Sequence, residues 1–168
     1  DDSFIFSVSD GFLSSNATVI LTIDPVNDTP VLADVSDVSF DEDSSTSIVI
    51  SGSDVDGDVV TYSISEGTDI VATLEGSDIT FTAATNFNGS ETFTISVSDD
   101  ELSDSQDITV TVNAVNDVPV ADATLITINE DQSIVINLSA TDVDGDVLIF
   151  SLYSDTINGA VSIEGNIA

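Results

Sequence analysis

Short stretches in which apolar and polar residues alternate run through the whole chain. Phe93, Ile95 and Val97 alternate with threonines and serines, and the same period of two returns at Ile108, Val110 and Val112. Because successive side chains of a strand point to opposite faces, this alternation predicts half-buried β-strands. Further short strands bounded by turn-forming residues are predicted around Val35 to Phe40, Ser47 to Ser51, Val59 to Ile64, Ile70 to Leu74 and Ile79 to Thr82.

About seven such strands in about ninety residues favour a two-sheet sandwich of the immunoglobulin-like type. Thr, Val, Ile and Ser dominate the strands, and no segment carries a convincing helical pattern. The expected fold class is therefore all-β.

The strand pattern itself repeats. FIFSVSD at Phe4–Asp10 returns as FTISVSD at Phe93–Asp99, 89 residues later, and DVDGD at Asp54–Asp58 returns letter for letter at Asp142–Asp146, 88 residues later. Anchors in the same order at one period indicate tandem units. We expect the C-terminal part of one unit at residues 1–28, a complete unit at 29–117 and the N-terminal part of a third at 118–168, so that the chain is an interior piece of a longer protein.

Two short linkers, at residues 24–30 and 114–119, separate these units and contain all three prolines of the chain. Proline fixes the backbone angle φ, whereas a flexible tether would be longer and rich in Gly and Ser. Successive units are therefore expected to sit end to end at a restricted angle.

Composition narrows the possible functions. The chain has 32 acidic residues, no Lys, Arg or His, and a formal net charge of -32. Nucleic acid is excluded as a partner because no basic residue can neutralise phosphate, and no apolar run is long enough to cross a bilayer. Yet 41% of the residues are hydrophobic, which argues against a disordered polyanion. Without Cys there are no disulfides, which leaves metal binding to stabilise the units.

The repeated DVDGD motif is the strongest candidate for chemistry. Asp54, Asp56 and Asp58 stand at alternate positions, and no side chain of this sequence can supply their counter-charge. A solvated Asp/Gly turn would be the plainer interpretation, but the duplication at the repeat period favours a hard divalent cation with oxygen ligands, calcium first. In a seven-strand sandwich the second-to-third and sixth-to-seventh loops lie beside the incoming linker. The candidate ligands of this first junction are Asn27, Asp28, Asp54, Asp56, Asp58 and Asp99.

Four pieces follow one another along the chain: Ser-Asp-Gly after a late strand, the Val-Asn-Asp-x-Pro linker, the acidic cluster Phe40–Asp43, and Asp-x-Asp-Gly-Asp before a Thr-Tyr-Ser strand. In this the chain resembles the cadherin-like tandem repeats of very large bacterial surface proteins. The resemblance implies that an acidic residue after the first strand, Glu42 or Glu130, serves the next junction. The second junction would then contain Glu42, Asn116, Asp117, Asp142, Asp144 and Asp146. Neutral Asn86–Asn88 stands roughly where cadherins have an acidic triplet, which predicts fewer ions per junction.

The function expected from these features is structural: a calcium-rigidified extender of an extracellular bacterial adhesin, whose partners are the neighbouring repeats of the same chain. Two alternatives of the binding class stay open, namely association with identical chains into a filament and recognition of a surface polysaccharide. Aromatic residues make up only 6% of the sequence and Trp is absent, so sugar stacking is poorly provided for. Catalysis is not expected, because His, Lys and Cys are missing and the acids repeat with the units.

Overall fold

The computed structural model describes residues 1–167, which contain thirteen strands and no helix. The strands are β1 (Asp2–Ser9), β2 (Ser14–Leu21), β3 (Val31–Leu32), β4 (Val38–Asp41), β5 (Ser45–Val49), β6 (Gly52–Ser53), β7 (Thr61–Ile64), β8 (Ile70–Glu75), β9 (Asp78–Ala83), β10 (Gly89–Ser98), β11 (Ser103–Asn113), β12 (Val120–Ala121) and β13 (Ala140–Thr141).

Strands β3 to β11 form a sandwich of two sheets. One sheet has the order β4-β11-β10-β7, in which only the β4-β11 pair is parallel. The facing side consists of the antiparallel sheet β5-β9-β8 together with the short pair β3-β6. This is the two-sheet arrangement that the alternating pattern predicts.

The core lies between the sheets and is built from alternate residues of each strand. Phe93, Ile95 and Val97 of β10 have no exposed surface, and neither do Ile79 and Phe81 of β9. The rings of Phe81 and Phe93 meet edge to face with centroids 5.4 Å apart. Such a pair contributes about 1 kcal/mol beyond the burial of its surface.

The first strand of the sandwich differs from the prediction. A single strand was expected around Val35 to Phe40, but the chain forms β3 on one sheet, crosses, and continues as β4 on the other. The side chain of Gln106 bridges the crossing, since its amide donates to the Val35 carbonyl (2.5 Å) and accepts from the Val35 N–H (3.1 Å). The predicted bounds were wrong because side chains of β11 replace strand pairing at this point.

The segments on either side of the sandwich bury little of their apolar surface. Strands β1 and β2 form an antiparallel hairpin, and β12 pairs with β13. Phe4, Phe6 and Val8 of the hairpin are 53%, 48% and 62% exposed. Within residues 1–167, no helix is long and apolar enough to cross a membrane.

Candidate metal centres at the two junctions

The first DVDGD motif forms the loop between β6 and β7. Asp54 Oδ1 accepts the backbone N–H of Asp56 at 2.8 Å, and Gly57 takes a φ of +85°, which other residues rarely adopt. This turn brings one carboxylate oxygen each of Asp54, Asp56 and Asp58 to within 4.8 Å of one another. Asp54 Oδ2 is buried and accepts no hydrogen bond from any described residue.

The linker before β3 is attached to this loop and to the turn after β10. The Asp28 N–H donates to Asp56 Oδ2 at 2.8 Å, and the Asn27 side-chain amide donates to Asp99 Oδ2 at 2.9 Å. The structure therefore brings together all six residues predicted for the first junction. Three loops that are distant in sequence meet here at one end of the sandwich.

Asp99 also has a role within its own turn. Its Oδ1 accepts the N–H groups of Leu102 (2.7 Å) and Glu101 (2.8 Å). The hydrogen bond from Leu102, followed by that from Asn27, lowers the pKa of Asp99 below its usual value. Asp10 accepts the same kind of bonds after β1, and the N–H of Leu13 is the main reason why its pKa is also lowered. The hydrogen bonds within the turn are thus enough to explain an aspartate at position 99, whether or not it also binds a metal ion.

The second junction repeats the contact between linker and loop. The Asp117 N–H donates to Asp144 Oδ2 at 2.6 Å, as Asp28 does to Asp56, and the Asp146 N–H donates to Asp142 Oδ1 at 3.1 Å. Gly145 has a φ of +77°. Asn116 lies on the exposed side and donates to the carbonyl of Asp117 instead of to the acidic loop.

Glu42 closes the second junction from the side of the central sandwich. It is 5% exposed, and among the described residues it is the one charged residue that is buried. Its Oε1 accepts the N–H of Val115 at 2.6 Å, and its own N–H donates to the Asn113 carbonyl at 2.9 Å. The glutamate named from the resemblance therefore lies at the linker that leaves the sandwich. Glu130 lies in an exposed turn, and no hydrogen bond within residues 1–167 joins it to another predicted ligand.

Electrostatic crowding is pronounced at Asp117. Burial raises the pKa of its carboxyl, and the negative charges of Asp144, Asp43, Glu42 and Asp142 raise it further. Asp117 Oδ2 is buried and has no hydrogen-bond partner among the described residues. Five carboxylates thus lie near one another in a chain without a single basic side chain.

Asp43 belongs to this cluster although the sequence interpretation did not select it. Its φ of +57° bends the chain after β4, and its Oδ1 accepts the Asn86 N–H at 3.2 Å. The available signal was its place directly after Glu42 in the acidic run Phe40–Asp43. The contact with Asn86 also places the neutral Asn86–Asn88 turn beside the second junction.

The donor set at both junctions fits a hard divalent cation. All the candidate side-chain ligands are carboxylate or amide oxygens, which calcium prefers, and each junction contains one shielded carboxylate oxygen with no hydrogen-bond donor. A bound cation would provide the missing counter-charge.

Comparison with known proteins gives one family match. A family model described as a bacterial Ig domain matches residues 27–112 and again residues 116–168. Comparison with curated proteins gives no match.

Several solved structures are similar in fold at low sequence identity. Human protocadherin-24 EC1-2 is 23% identical, with a TM-score of 0.47 over 70% of this chain and 61% of that one. Titin domain M7 is 15% identical, with a TM-score of 0.38 over 54% of this chain and 100% of that one. Domains 1-6 of the surface layer protein SbsC are 17% identical, with a TM-score of 0.40 over 88% of this chain and 20% of that one.

Proposed function

Because the chain belongs to the bacterial Ig domain family, whose model matches two consecutive stretches of it, we propose that it is a structural segment of an extracellular bacterial surface protein, stiffened by calcium at the junctions between its units. The family assignment confirms the all-β, immunoglobulin-like fold class. Of the resemblance to cadherin-like repeats, the family match supports the coarser statement, a bacterial immunoglobulin-like domain. Calcium, adhesion and the extracellular location belong to the proposal.

The proposed units end within the two linkers, at residues 28 and 117. The buried core of the central unit extends from Leu32 to Val112, inside these limits. At each boundary, the N–H of the last residue of the unit donates to the second aspartate of the following DVDGD loop. A boundary that is bonded in this way is a natural place for a cation to control the angle between units.

One observation carries the calcium proposal: three carboxylates converge within 4.8 Å, with one buried oxygen unpaired, in a chain that has no Lys, Arg or His. At the first junction Asp54, Asp56 and Asp58 would hold the ion, with Asn27, Asp28 and Asp99 beside them. At the second junction the corresponding residues are Asn116, Asp117, Asp142, Asp144 and Asp146, joined by Glu42 from the central unit. Glu130 is the equivalent of Glu42 and would serve a further junction.

Calcium supplies positive charge to these clusters, and the chain supplies the geometry. An ion that binds only when linker and loop are together stabilises that arrangement by mass action. The ion would thus shift a hinged pair of units towards a fixed one. Millimolar extracellular calcium suits sites of moderate affinity. The immediate partners are the neighbouring units of the same chain, and no catalytic role is proposed.

Small-angle X-ray scattering of the chain in calcium and in chelator tests this function. We expect a longer, better-defined particle in calcium, because both linkers become fixed. The triple variant Asp54→Asn, Asp56→Asn, Asp58→Asn should lose this response at the first junction. A matched control, Glu66→Gln, Glu75→Gln, Asp78→Asn, removes the same charge from exposed positions elsewhere and should keep it. Identical scattering of the unaltered chain in the two buffers would refute the proposal.

A further inference from the structure

The DVDGD loop of the central unit is held at its start by a tyrosine. The Gly52 N–H, two residues before Asp54, donates to the Tyr62 hydroxyl at 2.7 Å. Gly52 is paired with Leu32 across β6 and β3, and within residues 1–167 no further strand lies beside β6. The hydroxyl therefore satisfies a backbone group that a neighbouring strand would otherwise satisfy, just before the first candidate ligand.

Tyr62 stands where the three ligand-bearing segments of the first junction meet. Its own strand, β7, pairs with β10 so that Tyr62 is opposite Val97, two residues before Asp99. Through Gly52 it reaches β6, which leads into the DVDGD loop. Strand β6 in turn pairs with β3, which follows the linker residues Asn27–Asp28. One side chain thus connects the loop, the linker and the turn whose oxygens form the proposed site.

Close packing at Gly52 makes this hydrogen bond possible. A Cβ atom at this position would lie 2.9 Å from Val97 Cγ2, 3.1 Å from the Val31 carbonyl oxygen and 3.5 Å from Tyr62 Cε1. The missing side chain therefore lets β6 approach both β10 and the tyrosine ring. The glycine and the tyrosine act as a pair.

The second copy of the motif separates the role of the ring from that of the hydroxyl. In the third unit, 88 residues later, Ala140 stands in place of Gly52 and Phe150 in place of Tyr62, whereas DVDGD is unchanged. Phenylalanine supplies the same ring, so packing alone does not require the hydroxyl of Tyr62. The hydroxyl and the glycine occur together in the central unit, and both are replaced in the next.

We propose that Tyr62 is a positioning residue for calcium at the first junction, a role that rests on the function proposed above. Its hydrogen bond to Gly52 fixes the DVDGD loop before an ion arrives. The carboxylates of Asp54, Asp56 and Asp58 are then already within 4.8 Å of one another, so that binding requires less ordering of the chain and the affinity for calcium rises. Both residues of the pair lie inside the complete central unit, so the effect belongs to that unit alone.

Isothermal titration calorimetry of the full chain with calcium tests this role. Every sample carries Asp142→Asn, Asp144→Asn and Asp146→Asn, which suppress binding at the second junction. In this background Tyr62→Phe should raise the dissociation constant about three- to tenfold, the range that one hydrogen bond can supply. Tyr153→Phe is the matched control: it removes the hydroxyl of the other tyrosine, outside the first junction, and should leave the dissociation constant unchanged.

Amide hydrogen exchange in chelator separates positioning of the loop from a general loss of stability. Tyr62→Phe should lower the protection of the β3 and β6 amides by more than it lowers that of the β10 and β11 amides, because the lost bond holds β6 locally. If the chain with Tyr62 takes up no calcium, the proposed function and the positioning role fall together. Calcium binding with an unchanged dissociation constant in Tyr62→Phe, or a loss of protection spread evenly over the sandwich, would overturn the positioning role alone.

Discussion

Replacing Asp54 by Asn should have opposite effects on stability with and without calcium. In chelator, the three carboxylate oxygens lie within 4.8 Å of one another, and two unit charges at that distance repel by about 0.9 kcal/mol in a water-like dielectric. The substitution removes two of the three pairs. After salt screening we expect the metal-free sandwich to gain about 1 kcal/mol.

With calcium the same substitution should be harmful. When the free calcium concentration is about one hundred times the dissociation constant of a site, binding at that site stabilises the folded chain by about 2.7 kcal/mol. For a sandwich of this size, each kcal/mol shifts the melting temperature by about 4 to 8 °C. Calcium at the first junction alone should therefore raise the melting temperature of the unaltered chain by at least about 10 °C relative to chelator, and Asp54→Asn should lose that part of the calcium effect.

Thermal unfolding followed by circular dichroism, in chelator and in calcium, measures both effects. Asn keeps the Oδ1 acceptor for the Asp56 N–H, so the turn itself should survive. Glu66→Gln serves as the control, because it removes one exposed charge outside the junction and should change neither melting temperature by more than about 2 to 4 °C. If Asp54→Asn destabilises the metal-free chain, or if calcium stabilises it as much as the unaltered chain, the electrostatic account of this loop is wrong.

Three further predictions follow from single residues. In chelator, the raised pKa of Asp117 means that its ionised form opposes the ordered junction, so the protection factors of the second-linker amides, which correct for the intrinsic pH dependence of exchange, should rise as pH falls from neutral towards that pKa, and Asp117→Asn should abolish this rise. Asp100→Gly should stabilise the central sandwich by about 1 kcal/mol in urea unfolding, because Asp100 has a φ of +81° where the equivalent turn after β1 has Gly11; a loss of stability would refute this. Phe93→Ala should cost about 3 to 5 kcal/mol in the same assay, whereas Phe4→Ala should cost far less because Phe4 is 53% exposed; equal costs would contradict this difference in burial.

The sequence predicted the strands well because alternation reports directly on burial. Phe93, Ile95 and Val97 were recognised as one face of a strand, and all three are fully buried. Alternation does not indicate which sheet a strand joins, since pairing depends on residues far away in sequence. The crossing between β3 and β4 was missed for this reason: it depends on the Gln106 amide, which lies 71 residues from Val35.

The candidate junctions were predictable to a similar degree. Repetition of DVDGD identified the loops, and sandwich topology placed Asn27 and Asp99 beside Asp54–Asp58, where the structure has them. Asp43 was missed because its contribution comes from its proximity to Asp117, which lies 74 residues later in the sequence and which no local pattern links to it. Asn116 shares the linker motif with Asn27 but donates to the backbone of Asp117.

Long-wavelength anomalous diffraction from crystals grown with calcium tests the central claim most directly. We predict an anomalous peak among the carboxylates of Asp54, Asp56 and Asp58 and a second one beside Asp117, each about 2.3 to 2.6 Å from its nearest oxygens. If neither loop shows an anomalous peak at millimolar calcium and the carboxylates of both loops turn towards solvent, the account is contradicted.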